Sequence, residues 1–173
     1  TTSGSKINDK FISENKKSVR AYRNESDLLS SFVRLIDDYD IDILTSFGLI
    51  SNDIPLLFSR LKLFNVKDWW RIGRLRRSTP IKNGKINPNY ALSGRIPCDI
   101  RISCMDQMKA KSNDLSAAVH TQFGFDRQYI DHYEVVQNVS DYDKLINLIN
   151  YNSRDTLFVL QLLNAREVLP LGL

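Results

Sequence analysis

The sequence predicts one mixed α/β domain, and three observations carry that prediction. Apolar residues at helical spacing after Ser26 run into a short β-branched strand and then into a second helix. The longest helical pattern in the chain starts at Asp141. A length of 173 residues is enough for one ordinary buried core.

Residues 1–25 read as a poorly ordered or linking segment, polar and rich in Ser, Thr and Lys over its first ten or so positions. The domain proper spans residues 26–173. Ser26 is a good N-cap, and Asp27 suits the positive end of a helix whose apolar face is Leu28, Leu29, Phe32, Leu35 and Ile36. Asp37-Asp38-Tyr39-Asp40 ends that helix, and its charges read as a solvated helix end. Ile41 to Phe47 reads as a short, largely buried strand. Gly48 then turns the chain toward Ser51-Asn52-Asp53, a set of capping side chains. The helix that follows has Ile54, Leu57, Phe58 and Leu61 on its apolar face and Pro55 in its first turn. In open α/β sheets, a turn at the carboxyl end of a strand is where sites are built.

Trp69 to Pro80 reads as an extended, aromatic and basic excursion. Asn83-Gly84 and Asn87-Pro88-Asn89 supply the turns of a basic hairpin. Gly94 to Ile100 reads as a return into a core strand. Met105 to Lys111 and Leu115 to Phe123 are helical, with Asp114 placed to cap the second, and Gly124 to Val139 is irregular. The final helix is expected to break near Asn150 to Ser153, where four helix-neutral or unfavourable residues meet.

The net charge of +4 is unevenly spread. Lys62, Lys67, Arg71, Arg74, Arg76, Arg77, Lys82 and Lys85 stand against one acid, Asp68. Arg71, Arg74, Arg76, Arg77 and Lys82 are therefore the candidate nucleic-acid contacts: the arginines can bridge to phosphate, and Trp69 or Trp70 could stack on a base. Alternating Arg74-Leu75-Arg76 suits a strand with one charged face. The competing reading is a solvated edge hairpin with both tryptophans in the core. No apolar run approaches the roughly 20 residues of a membrane span, and Thr1 to Lys10 lack the apolar centre of a signal peptide. The missing initiator Met leads us to expect a fragment of a longer chain. Cys98 and Cys104, with only His120 and His132 as further soft ligands, do not form the grouping of a zinc site. They read as reduced, buried thiols of an intracellular protein.

Two carboxylates fall at informative places. Asp53 follows a buried strand at the start of a helix. Asp155 lies four residues after Tyr151, so the two share a helix face. A carboxylate can hold a metal while a phenol orients water, and two metals held by carboxylates are a standard device for phosphodiester hydrolysis. The bland alternative for both is a solvated or N-capping Asp.

Asp40-Ile41-Asp42-Ile43-Leu44-Thr45-Ser46-Phe47-Gly48, with Asn52-Asp53-Ile54-Pro55 and Arg60 after it, resembles the second exonuclease motif of the B-family DNA polymerases. There a strand enters a Gly-aromatic-Asn turn and a catalytic Asp opens the next helix. Tyr151-Asn152-Ser153-Arg154-Asp155 resembles the third motif, Tyr-x-x-x-Asp. Gly94-Arg95-Ile96-Pro97-Cys98-Asp99 and Lys111-Ser112-Asn113-Asp114-Leu115-Ser116 are similar to a strand and a helix entry that lie between the two motifs. Trp70 to Ser78, with its Ile-Gly-Arg-Leu core, and Arg166 to Leu171 resemble the alpha-type members of the family.

The resemblance implies a ribonuclease-H-like domain, with a mixed sheet flanked by helices. It makes Asp53, Tyr151 and Asp155 vestigial exonuclease positions, Asp53 and Asp155 being the metal positions among them. The first motif, an Asp-x-Glu, is not present in this chain, and Gly48 stands where the family has Asn. Two carboxylates are too few for two divalent ions, so the domain is expected to be inactive in proofreading and to need no cofactor. It would scaffold the parent protein and contact DNA. The implied parent is a nuclear, Mg²⁺-dependent polymerase with no membrane association that extends RNA primers with deoxynucleotides on a DNA template. Its partners would be primase and an accessory B subunit. Two other readings stay open. One is an active 3′–5′ exonuclease domain of another member such as delta or zeta, and the other is a nucleic-acid-binding module with no enzymatic parent.

Overall fold

The computed structural model describes residues 20–76, 78–82, 85–108, 114–127, 130 and 142–165. Expectations placed on the first nineteen residues, Arg77, the Asn83-Gly84 turn, Lys111-Ser112-Asn113 and Arg166 to Leu171 lie outside the described residues. So does the side chain of Lys82.

Helix α1 spans Glu25–Asp38. Its cap is Asn24 rather than Ser26: Asn24 is extended, and its Oδ1 accepts from the Asp27 amide at 2.8 Å. Ser26 thus falls inside the first turn. The helix buries Leu29, Val33 and Ile36, whereas Leu28 and Phe32, expected on the apolar face, are exposed. The buried stripe is rotated away from those two positions. Asp40 closes the helix in the left-handed conformation, φ 44°.

Strand β1, Ile43–Ser46, leads through Gly48 into a π-helical turn, Leu49–Asp53, and then into α2, Ile54–Leu63, with Pro55 in its first turn. Trp69–Ile72 forms a 3₁₀ turn. The first four residues of the excursion expected here as extended are therefore a compact turn, with Ile72 drawn fully into the core. The hairpin strands follow as β2, Ile81–Lys82, and β3, Lys85–Ile86, paired antiparallel. A single turn, α3, Pro88–Ala91, is capped by Asn87.

Strand β4, Ile96–Asp99, pairs parallel with β1, with Ser46 opposite Asp99. Helix α4, Ile100–Met108, begins at once, earlier than expected. Helix α5, Leu115–Phe123, is capped by Asp114, whose Oδ1 accepts from the Ala117 amide at 2.6 Å. Among the described residues the sheet is two separate pairs, one parallel and one antiparallel, in place of one mixed sheet.

The last helix, α6, runs unbroken over Tyr142–Ala165, against the expected break. Asn and Ser each cost a helix interior at most about 0.7 kcal/mol. Buried Phe158, Val159, Leu162 and Leu163 anchor the turns beyond the weak stretch. Thr156 also donates back to the Asn152 carbonyl at 3.0 Å.

Two apolar clusters make the core. One joins α1, α2 and the 3₁₀ turn; the other joins β4, α4, α5 and α6. Strand β1 lies between them. Leu44 packs on the first cluster and Ile43 on the second, as successive strand residues must when they face opposite sides. The carboxyl end of β1 is thereby fixed from both sides. Cys98 and Cys104 are buried and form no disulfide, as expected, and burial pushes the Cys98 thiol up.

Gly94 sits at φ +90°, and a Cβ there would lie 2.7 Å from Cβ of Arg74. Gly94→Ala is expected to cost about 2 kcal/mol, combining a strained backbone with a steric clash. Urea unfolding measures this, and an unchanged midpoint would contradict it.

Candidate functional site

The parallel pairing of β1 and β4 brings Asp99 beside the turn that leaves β1. Asp99 is 7% exposed, so its carboxylate needs donors close by. Its Oδ1 accepts from the Gly48 amide at 3.0 Å and the Arg101 amide at 3.1 Å, and its Oδ2 accepts from the Ile50 amide at 2.9 Å. Charge-assisted bonds of this kind are the strong ones. They fix the turn that carries Asp53.

Gly48 meets this geometry at φ +105°, with its missing Cβ only 3.1 Å from Nδ2 of Asn52. Gly is the residue suited to such a position, and Asn is among the few others that tolerate positive φ. Gly48 takes this conformation without a Cβ penalty. Asp53 closes the π-helical turn, makes no capping bond to α2, and accepts a hydrogen bond from the Ser46 hydroxyl. It also borders an open apolar cavity of about 320 Å³ that Leu44, Leu49 and Leu57 share.

Asp155 lies on α6 beside Arg127, which follows α5. Nε and Nη2 of Arg127 donate to the two carboxylate oxygens at 2.7 and 2.5 Å. Nη1 of Arg127 donates to the Ser116 hydroxyl at 3.1 Å, and the guanidinium lies 5.0 Å from the centre of the Tyr151 ring. Arg127 and Asp155 are 14% and 20% exposed, so water screens the pair little. The Asp155 hydrogen bond holds the guanidinium above its ordinary range, and it stays charged. Tyr151 and Asp155 are thus brought together as expected, around an arginine the sequence had not marked. Both oxygens of Asp155 carry guanidinium bonds, and Asp53 is bonded to Ser46. Among the described residues no three His, Cys, Asp or Glu side chains group as metal ligands. These donor sets do not fit a divalent ion.

Two arginines of the basic segment are neutralised from within. Arg71 donates to Asp37, and Arg74 donates to Asp40 at 2.9 Å and to Asp42. Arg74 also reaches the Gly94 carbonyl at 2.9 Å. The Arg74 hydrogen bond holds the Asp40 carboxyl below its ordinary range. Asp37 and Asp40, expected as a solvated helix end, are therefore counterions; only their neighbour Asp38 forms no ion pair among the described residues. Arg95, 1% exposed at its side chain, donates to the Ile72 carbonyl at 2.9 Å and to that of Ile41.

Arg74-Leu75-Arg76 forms no strand. Trp69 meets Phe58 edge-on at 5.6 Å, which suits the core reading for that ring. The Arg71 and Arg76 guanidinium groups lie over the Trp70 ring, at 5.0 and 5.3 Å from its centre. Arg76 is exposed and pairs with no carboxylate among the described residues. Of the nominated contacts it is the one both described and open to a phosphate.

Removing Arg127 leaves a part-buried carboxylate without its donors. Arg127→Met should lower the unfolding free energy by about 2 kcal/mol, whereas exposed Arg76→Met should change it by less than about 0.5 kcal/mol. Urea unfolding of both variants measures the contrast, and equal effects would contradict it.

Residues 1–118 match the family described as DNA polymerase family B, exonuclease domain. The chain is also similar to several curated proteins. It is 30% identical over 165 residues to the DNA polymerase alpha catalytic subunit of Mus musculus, across 94% of this chain and 11% of that protein. It is 29% identical over 180 residues to the subunit of the same name from Xenopus laevis, across 98% of this chain and 12% of that protein. For Drosophila melanogaster the identity is 23% over 162 residues, across 91% and 11%. The chain thus spans about a tenth of the length of these relatives. The family match covers the parallel pair, the Asp99-held turn and the basic segment together, and on that ground the chain belongs to the exonuclease-domain family of the family B DNA polymerases, with relatives among the alpha catalytic subunits.

Proposed function

We propose that this chain is the exonuclease-like domain of a replicative polymerase of alpha type, silent as a nuclease, which scaffolds its parent protein and contacts DNA. The observation that carries the silent reading is the Arg127–Asp155 pair. Metal-dependent phosphodiester hydrolysis needs carboxylate oxygens open to a cation beside the reacting phosphate. Here both oxygens of Asp155 accept from one guanidinium, and Asp53 takes a hydroxyl donor from Ser46. That Asp155 is already matched by the protein's own guanidinium supports the silent reading.

The ribonuclease-H-like architecture is part of the proposal. The parallel β1–β4 pair with apolar clusters on both sides of β1 supports it. The parent would be a Mg²⁺-dependent DNA polymerase in the nucleus that extends RNA primers with deoxynucleotides, working with primase and an accessory B subunit. The name its relatives carry supports the polymerase assignment. For the DNA contact, exposed Arg76 beside Trp70 supports one phosphate partner.

The test is degradation of a 5′-labelled single-stranded oligonucleotide by the full-length protein in Mg²⁺ or Mn²⁺, with binding followed in parallel. No shortening is expected, with binding weakened severalfold by Arg76→Ala. Shortening that disappears in Asp155→Ala would overturn the silent reading. Binding indifferent to Arg76→Ala would remove this residue as a DNA contact.

A further inference from the structure

We propose that the cavity between α2 and the hairpin is a docking site for an acidic peptide segment of a partner protein, which inserts one apolar side chain. The inference goes beyond the nuclease question and stands on different residues. The cavity holds about 430 Å³, within the roughly 300–1,000 Å³ of sites that bury organic groups. Its floor is Phe58, Leu61, Trp69 and Ile86, contributed by α2, the 3₁₀ turn and β3. Such a floor rewards an aliphatic or aromatic side chain removed from water, at about 25 cal/mol for each Å² buried.

The mouth sets the sign of the partner. Lys62, at the end of α2, and Lys67, ahead of the 3₁₀ turn, both border the cavity and are exposed. Neither forms an ion pair among the described residues. The contrast with their surroundings is informative: Arg60 pairs with Glu25, Arg71 with Asp37, and Arg74 with Asp40 and Asp42. Those three arginines are neutralised, whereas the two lysines at the rim of the apolar cavity are not. Carboxylates flanking an apolar anchor complement that pattern.

A strand of nucleic acid fits less well. Sequence-tolerant binding of bases depends on aromatic faces arranged in succession. Here the one tryptophan on the floor is already engaged by Phe58, and the other floor residues are Leu61 and Ile86, both aliphatic.

The experiment is fluorescence anisotropy of labelled ten-residue peptides with the full-length protein. The probes carry a central Leu or Phe flanked by Asp and Glu, and the controls carry Lys flanks or a central Ser. Saturable binding of the acidic apolar peptides is expected, at least tenfold tighter than either control and weakening as salt rises. Lys62→Glu with Lys67→Glu should weaken it at least tenfold. Ser78→Trp, which places an indole at the rim, should do the same without reversing charge. Both sites are exposed, so unchanged thermal unfolding is expected to show that the fold persists. Absence of saturable binding, equal binding of Lys-flanked peptides, or displacement by a dodecamer of thymidylate would each overturn the proposal. The last would reassign the surface to nucleic acid.

Discussion

One buried carboxylate organises the candidate site. Asp99 stands at the end of β4 and accepts from the amides of Gly48, Ile50 and Arg101, so it ties the exits of both parallel strands together. An unpaired carboxylate at this depth would be costly, and three N–H donors make it tolerable. Much local geometry follows from that constraint. The amides can converge only if the chain turns sharply after β1, which requires the left-handed conformation of Gly48. The π-helical turn Leu49–Asp53 then delivers Asp53 beside Ser46.

Charge is handled by the same logic elsewhere: potential ligands and potential DNA contacts are matched inside the protein. Arg127 satisfies Asp155, Arg74 satisfies Asp40 and Asp42, and Arg71 satisfies Asp37. These pairs differ in weight. Arg127 and Asp155 are shielded from water, while Asp40 and Asp42 are about three-quarters exposed, where pairing contributes little. The shielded pair therefore decides what α6 can do chemically. The exposed pairs decide mainly how the segment from Trp69 to Arg76 lies against α1, and which basic groups face outward. Within what looks like a cationic patch along the chain, Arg71 and Arg74 act in space as struts, while Arg76, Lys62 and Lys67 form no ion pair among the described residues.

Much was legible in the sequence, and the rest was hidden for physical reasons. The helix–strand–turn–helix from α1 to α2 could be read from periodicity, and Asp114 from its place before an apolar run. Asn24 outcompeted Ser26 as a cap because its backbone is extended directly before the first helical residue, a choice that side-chain type alone does not settle. The unbroken α6 shows tertiary contacts outweighing the small propensity cost of Asn150 to Ser153. Asp99 was visible only as part of a resemblance, since nothing in its spacing announces that it faces the Gly48 turn across a distance of 51 residues. Arg127 gave no signal at all. It lies in an irregular stretch, and its partners Ser116, Tyr151 and Asp155 meet only when α5 and α6 pack together.

The anchoring role of Asp99 is open to a direct measurement by amide hydrogen exchange. If its carboxylate holds the turn, the amides of Gly48 and Ile50 should exchange slowly, although both lie outside any regular hydrogen-bond ladder. Asp99→Asn replaces one acceptor oxygen with a donor and should speed exchange at least tenfold at whichever of the two amides faces the new NH2 group, with the amides of α6 unaffected. Equal exchange at Gly48 and Ile50 in the wild type and the variant would contradict the account.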